Sequence, residues 1–260
     1  MENQVYRFSN QPFWKGVVSS GIAQIPFFRM PISLVELQLQ QEGLRSVPGF
    51  GQITLVVSCD RERPGAWVFG IQDKFGEADL FGCDSVFLCR FPPGYFTRVF
   101  SVDASTLVNR AVAVSDVLSD KESLTISRII DFDQFEDRRE FFIRFLQQKN
   151  CNKDSTSSLV DRYLDYILYS KGDIRLKEIQ YHLGCSSRYL QKTLLKHVGL
   201  PPKRLGMQAR FQFLLPEVLF SDNSIASIAQ KYGFFDQPHF DKSFKAMTGL
   251  SPVDFRSLFS

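Results

Sequence analysis

The side chains best suited to chemistry lie on two short basic stretches, Ser187 to Val198 (SRYLQKTLLKHV) and Gln237 to Thr248 (QPHFDKSFKAMT). In the first, Tyr189, Leu190, Leu194 and Val198 read as the buried stripe of a helix, which leaves Ser187, Arg188, Gln191, Lys192 and Lys196 for the outward face. In the second, Phe240, Phe244 and Met247 are the stripe, and Gln237, Asp241 and Lys242 face out, with His239 and Lys245 at the edge. The chemistry this predicts is hydrogen bonding and charge neutralisation. Arginine grips the two acceptors of a guanine edge, glutamine matches the donor and acceptor of adenine, and a carboxylate accepts from cytosine. Lys192 and Lys196 suit phosphate contacts, which position a protein without specifying a sequence. The aromatics Tyr232, Phe234, Phe240 and Phe244 are expected in the core rather than stacked on bases.

Two copies of one plan must position these residues. The segments LKEIQYHLGCSSRYLQKTLLKHVGLPP, from Leu176, and IASIAQKYGFFDQPHFDKSFKAMTGLSP, from Ile225, each open with a short amphipathic run. Each run stops at a glycine, Gly184 or Gly233, which takes the left-handed backbone of a tight turn. Ser186 or Asp236 then caps the amides of a new basic helix. Helix, glycine turn and capped helix is the helix-turn-helix plan, whose second helix enters a DNA major groove. Charge follows the same division. Of 31 Lys and Arg and 28 Asp and Glu, 13 and 7 lie from Lys171 onward, leaving 18 and 21 before it, so the positive charge sits with the helix-turn-helix copies.

These residues carry a family resemblance. Ile225-Ala226-Ser227-Ile228-Ala229, Tyr232-Gly233-Phe234, Asp236-Gln237, Phe240, Phe244-Lys245, Gly249, Ser251-Pro252 and Phe255-Arg256 follow the signature of AraC/XylS-type transcriptional regulators, and Ala209-Arg210-Phe211 fits the linking helix. The resemblance implies a double helix-turn-helix DNA-binding domain over residues 156–260, with helix-turn-helix spans near 174–198 and 224–248 and a connecting helix near 202–220. It assigns Ser187, Arg188, Gln191, Lys192, Lys196, Gln237, Asp241 and Lys242 to the DNA-facing positions. Pro238 stands where the family often has serine, and Pro216 falls inside the expected connecting helix, where a proline costs about 3 kcal/mol and kinks or ends it. The implied partners are double-stranded promoter DNA, RNA polymerase for an activator, a small-molecule or protein effector, and a second copy of the chain.

Residues 1–130 read mainly as strands, among them Met30–Gln40, Ile53–Cys59, Ala66–Gln72 and Ser85–Phe91, spaced as in a sandwich or small barrel. Val99–Leu107 and Leu118–Ile130 read as more helical, and Arg138–Lys149 as an amphipathic helix. Pro31, Gly70, Phe91-Pro92-Pro93-Gly94 and Asp116-Val117-Leu118 resemble a sensor-like domain found before some AraC-type modules, which implies a divergent cupin-like fold. The expected class is therefore α+β: a mostly-β sensor or dimerisation domain over 1–149, a linker over 150–155, and an all-α domain over 156–260 whose first helix is Leu159–Ser170, capped by Ser157 or Ser158.

Enzymatic function is not expected. The three histidines all lie in the C-terminal part, Gly49-Phe50-Gly51 lacks the third glycine of a nucleotide loop, and none of the five cysteines has the Pro-Cys-His setting of the methyltransferases fused to some AraC-type modules. No catalytic residue, cofactor or metal cluster is expected, and the cysteines (Cys59, Cys83, Cys89, Cys151, Cys185) read as free thiols. With no run of about 20 apolar residues and no signal-peptide pattern, the reading is a cytoplasmic protein without a membrane span. Two readings of the N-terminal half stay open: a ligand sensor, or an interaction and self-association scaffold without a ligand.

Overall fold

The computed structural model describes residues 17–25, 30–39, 44–46, 49–73, 76–78, 82–149 and 155–259. The N-terminal part contains strands β1 (Val17–Ile25), β2 (Ile32–Leu39), β3 (Leu44–Ser46), β4 (Ile53–Ser58), β5 (Ala66–Phe69), β6 (Gly76–Ala78), β7 (Ser85–Phe91) and β8 (Ala111–Ala113). Six of them form one antiparallel sheet in the order β1-β2-β7-β4-β5-β8, and β3 pairs with β6 as a separate ribbon. Among the described residues no pairing joins β1 to β8, so the strands expected in a sandwich or small barrel are arranged here as an open sheet plus a ribbon.

Alternation along the strands sends Ile32, Leu34, Ile53, Leu55, Val57, Phe87, Cys89 and Phe91 to one face, into the main core. Val35, Leu37, Val56, Val86 and Leu88 point the other way, into a smaller core with Cys83. Burial on both faces is why the central strands read as continuous apolar runs.

Helix α1 (Tyr95–Phe100) follows the Pro-Pro-Gly turn, and α2 (Asp120–Ser127) and α3 (Phe135–Gln147) complete the layer on the main-core face. Of the two helical stretches expected from sequence, Val99–Leu107 is broken, ending α1 and resuming as a 3-10 turn at Ala104–Leu107, whereas Leu118–Ile130 is helical, as α2 followed by a 3-10 turn at Arg128–Asp131. Ser119 and Glu122 form a reciprocal capping box at the start of α2. Arg138 on α3 donates to Glu36 Oε2 on β2 at 2.6 Å and to the Phe132 carbonyl at 2.6 Å, a buried ion pair that ties the helix to the sheet. Of the cysteines, Cys59, Cys83, Cys89 and Cys185 are free thiols; Cys151 lies outside the described residues.

The C-terminal part is helical: α4 (Ser155–Tyr169), α5 (Leu176–Leu183), α6 (Ser187–Val198), α7 (Pro202–Phe220), α8 (Ile225–Lys231), α9 (Gln237–Thr248) and α10 (Pro252–Phe259). Residues 150–154 of the expected linker lie outside the described residues. Helix α4 starts at Ser155, earlier than its apolar stripe suggests, so Ser157 is inside the helix and buried rather than a cap, and its carbonyl accepts from Arg98 at 2.9 Å. Nor does Pro216 end α7, which runs unbroken to Phe220. Its lost N–H costs one rung, and Leu214, Leu215 and Val218, buried around it, hold the helix together.

The apolar residues of this part fall into two cores. Leu159, Val160, Tyr163, Ile179, Leu190, Leu194, Val198, Leu200, Leu205 and Ala209 belong to the same cluster as the N-terminal sheet. Phe211, Leu214, Val218, Ile228, Phe234, Phe240, Phe244 and Phe255 form a second, separate cluster. The first helix-turn-helix is thus continuous with the N-terminal core. Arg98 on α1 makes a two-pronged ion pair with Asp161 on α4 at 2.5 and 3.1 Å. Thr97 Oγ1 donates to the His197 carbonyl at 3.0 Å, and Gln208 on α7 accepts from Gly51 N at 2.9 Å and donates to the Gln72 carbonyl at 2.7 Å.

Candidate nucleic-acid interface

The first helix pair is built by local signals. Helix α5 ends at Gly184, whose φ of 63° is left-handed; nothing lies within 4 Å of where a Cβ would be, so the backbone angle and not space selects glycine. Ser186 caps α6, its Oγ accepting from Tyr189 N at 3.2 Å. Gln180 Nε2 donates to Ser187 Oγ at 2.7 Å, which locks α5 to the first residue of α6. Leu190, Thr193, Leu194, His197 and Val198 are buried, and Ser187, Arg188, Gln191, Lys192 and Lys196 are all exposed along one side. Among the described residues, none of Arg188, Lys192 and Lys196 has an ion-pair partner.

Tyr189 departs from expectation. Read as part of the buried stripe, it is 49% exposed and lies beside Arg188 on the open side. The stripe was drawn one residue too wide: Leu190, Leu194 and Val198 satisfy the core, and Tyr189 is rotated by a full residue step from that line.

The second pair follows the same plan. Ser224 caps α8, accepting from Ser227 N at 3.2 Å, and Gly233 turns the chain at φ 71°. Asp236 caps α9, its Oδ1 accepting from His239 N at 2.8 Å. Pro238 occupies the first turn of α9, where its missing N–H has no helical partner to lose. Phe234 folds under the turn, edge-on to Phe240 at 4.9 Å, and Phe240 and Phe244 are wholly buried.

Gln237, His239, Lys242 and Lys245 are exposed. Asp241 is only half-exposed, and its Oδ1 is buried without a hydrogen-bond partner, so this carboxylate does not stand free on the outward face with Gln237 and Lys242. Phe235, next to the cap, is 92% exposed, a feature the sequence reading passed over. The signal was present: one more residue separates Gly233 from Asp236 than Gly184 from Ser186, and only one of two adjacent phenylalanines fits beneath the turn. Tyr169, Tyr181 and Phe220 are further exposed aromatics of the C-terminal part.

Glu217 on α7 accepts from Lys231 Nζ at 2.6 Å and from Tyr232 Oη at 2.8 Å, fastening α8 to the connecting helix. Burial acts to raise the Glu217 carboxyl, but these two donors outweigh it and hold it below the usual carboxylate range. Burial and the same bond push the Tyr232 phenol well up. Among the described residues, no group of three or more His, Cys, Asp or Glu is arranged to hold a metal, and no helix is long and apolar enough to cross a membrane.

Residues 181–257 match the protein-family model described as a helix-turn-helix domain. The C-terminal part therefore carries a helix-turn-helix domain. The chain is 34% identical over 70 residues to YidL, an uncharacterized HTH-type transcriptional regulator of Escherichia coli, covering 27% of this chain and 24% of YidL. It is 32% identical over 83 residues to AarP, an HTH-type transcriptional activator of Providencia stuartii, covering 32% of this chain and 62% of AarP. The matches therefore span less than two thirds of these relatives' lengths. A solved structure of ToxT from Vibrio cholerae is similar at a TM-score of 0.45 and 13% identity, covering 95% of this chain and 100% of that one.

Proposed function

We propose that this chain is a sequence-specific DNA-binding transcriptional regulator of the AraC type. Helices α6 and α9 enter successive major grooves about one helical turn apart on one face of promoter DNA. The observation that carries the reading is the repeated geometry: two capped helices, each docked by its apolar stripe on its own core, each presenting polar and basic side chains outward. Arg188 and Gln191 read base edges, and Lys192, Lys196 and Lys242 contact phosphates. Ser187 and Gln237 sit at the helix starts where base edges come within reach. Asp241 contributes least, because one of its carboxylate oxygens is turned inward.

Residues 1–149 then serve as a sensor and dimerisation unit for residues 156–260. A signal there reaches DNA through differential affinity for two states of the protein. The bonds from Arg98 to α4, from Thr97 to the end of α6, and between the Gly51 and Gln72 backbone and α7 supply the route. The alternative, an N-terminal scaffold without a ligand, uses the same contacts to hold the first reader in a fixed pose.

Binding selection from a random duplex library with the full-length chain tests the reading. Enrichment of a site with two blocks about one turn apart is expected. Failure to enrich any sequence at low salt refutes it.

A further inference from the structure

Helix α7 passes from one core to the other within a single turn. Leu205 and Ala209 are buried in the cluster shared with the N-terminal sheet, and Phe211, Leu214, Leu215 and Val218 in the second cluster. The residue at the changeover is Arg210. On its N-terminal side α7 is held by Gln208, by Arg204 donating to Asp73 at 3.1 Å, and by Tyr163 Oη donating to the Pro202 carbonyl at 2.7 Å. On its C-terminal side α7 is held by Glu217 to α8 and by Arg256 Nε donating to the Val218 carbonyl at 2.6 Å. Two separately anchored bodies therefore share one helix, and that helix lacks a rung at Pro216, just beyond the changeover.

Arg210 reaches across this joint. Its Nη2 donates to the Gly172 carbonyl and to Asp173 Oδ1, each at 3.3 Å, in the turn after α4. Its guanidinium lies 5.7 Å from the ring centre of Phe234, the residue wedged beneath the turn into α9. The Gly172 end is firmly seated: φ there is 80°, and a Cβ would fall 2.4 Å from the Gly206 carbonyl oxygen and 2.5 Å from Arg210 N, so this turn lies flush on α7. One planar cation thus ties the body carrying α6 to the turn that orients α9.

We propose that Arg210 is a positioning residue that sets the angle between the two recognition helices, and through it the spacing between the two DNA blocks the protein accepts. This rests on the reading that α6 and α9 both bind DNA. Inserting one base pair between blocks rotates the second by about 34° and moves it along the axis by about 3.4 Å, a mismatch that either the DNA or the joint must absorb. A braced joint passes it to the DNA, and an unbraced one takes it up.

The experiment measures full-length protein on duplexes carrying both selected blocks, with spacers changed by one and two base pairs, and on duplexes with a single block. Wild type is expected to lose about tenfold in affinity for one base pair of change, and R210A about threefold or less, with single-block affinity unchanged. R210K, which keeps the charge but not the planar fork, falls between them. An R210A profile as steep as wild type, or a single-block loss as large as the two-block loss, overturns the brace while leaving two-block reading intact. Wild type that binds one block as tightly as two overturns the two-reader function and the brace together. If R210A does not fold, D173N and R210K replace it, and spacing profiles identical to wild type in both refute the proposal.

Discussion

Asp161→Ala is the perturbation with the largest effect expected from a single contact between the two halves of the chain. The Arg98 side chain is 2% exposed and Asp161 24% exposed. Two bonds join them, at 2.5 and 3.1 Å, and Arg98 also donates to the Ser157 carbonyl and lies 5.2 Å from the Tyr95 ring centre. Removing the carboxylate strands a guanidinium in the core, where breaking one side of a buried pair costs about 3–5 kcal/mol. Asp161 is reachable by water and the Ser157 carbonyl stays in place, which puts the expected loss at the lower end, about 3 kcal/mol, or roughly a hundredfold in the unfolding equilibrium. Arg98→Met removes the charge itself and lets Asp161 turn to solvent, for a cost of about 1 kcal/mol. The double variant should resemble R98M, which gives a coupling of about 3 kcal/mol in a double-mutant cycle. Urea unfolding followed by circular dichroism measures all four proteins. The reasoning is refuted if D161A costs no more than R98M, or if the two losses simply add.

Gln208→Ala leaves the buried Gly51 N–H without its acceptor and should lower stability by about 1–3 kcal/mol in thermal melts; an unchanged midpoint would remove Gln208 as a link between the halves. Arg188→Ala should cost about 1–3 kcal/mol of discrimination at one base position, whereas Lys196→Ala should weaken all sequences alike and reduce the salt slope by about 1. Competition titrations at several salt concentrations separate the two, and α6 is no reader if neither change alters binding. Glu217, with its carboxyl held below its ordinary value of 4.5, supplies stability that is full above that value and lost as pH falls through its lowered folded value. The stability gap between wild type and E217Q should therefore shrink below pH 4.5, and a gap that is constant down to acid unfolding contradicts the assignment. Phe235→Ala should leave the unfolding free energy within about 0.5 kcal/mol, since the ring has no packing to lose; a larger drop would show that Phe235 is a structural contact.

The parts of this molecule that were legible in advance are those whose physics is local. A glycine that alone tolerates φ near 60–80°, a serine or aspartate that satisfies free amides, and apolar residues at helical spacing act within a few residues of one another. The two helix pairs and their caps could therefore be read off the chain. The three-residue strands β3, β6 and β8 could not, because their pairing partners are distant and their own composition is unremarkable: Ala111–Ala113 is a strand because Trp67, Val68 and Phe69 pair with it. The Tyr189 error has a similar origin. An apolar-looking neighbour of a stripe is buried only if something arrives to cover it, and Tyr189 is left half-exposed.

By itself, the sequence determined that two capped, basic helices form and, Tyr189 and Asp241 apart, which of their side chains lie opposite the apolar stripe. Only the tertiary structure decided what each stripe packs against. The α6 stripe and the start of α7 share a core with the N-terminal sheet, while α9 closes a second core with the end of α7. Burial is non-directional, so Val198 and Leu205 specify that they must be covered and not by what. The partner is chosen by long-range contacts such as Arg98 with Asp161 and Gln208 with Gly51, whose members stand 63 and 157 residues apart. The same division lets Arg210, in the sequence only one residue of the linking helix, contact both the turn after α4 and Phe234.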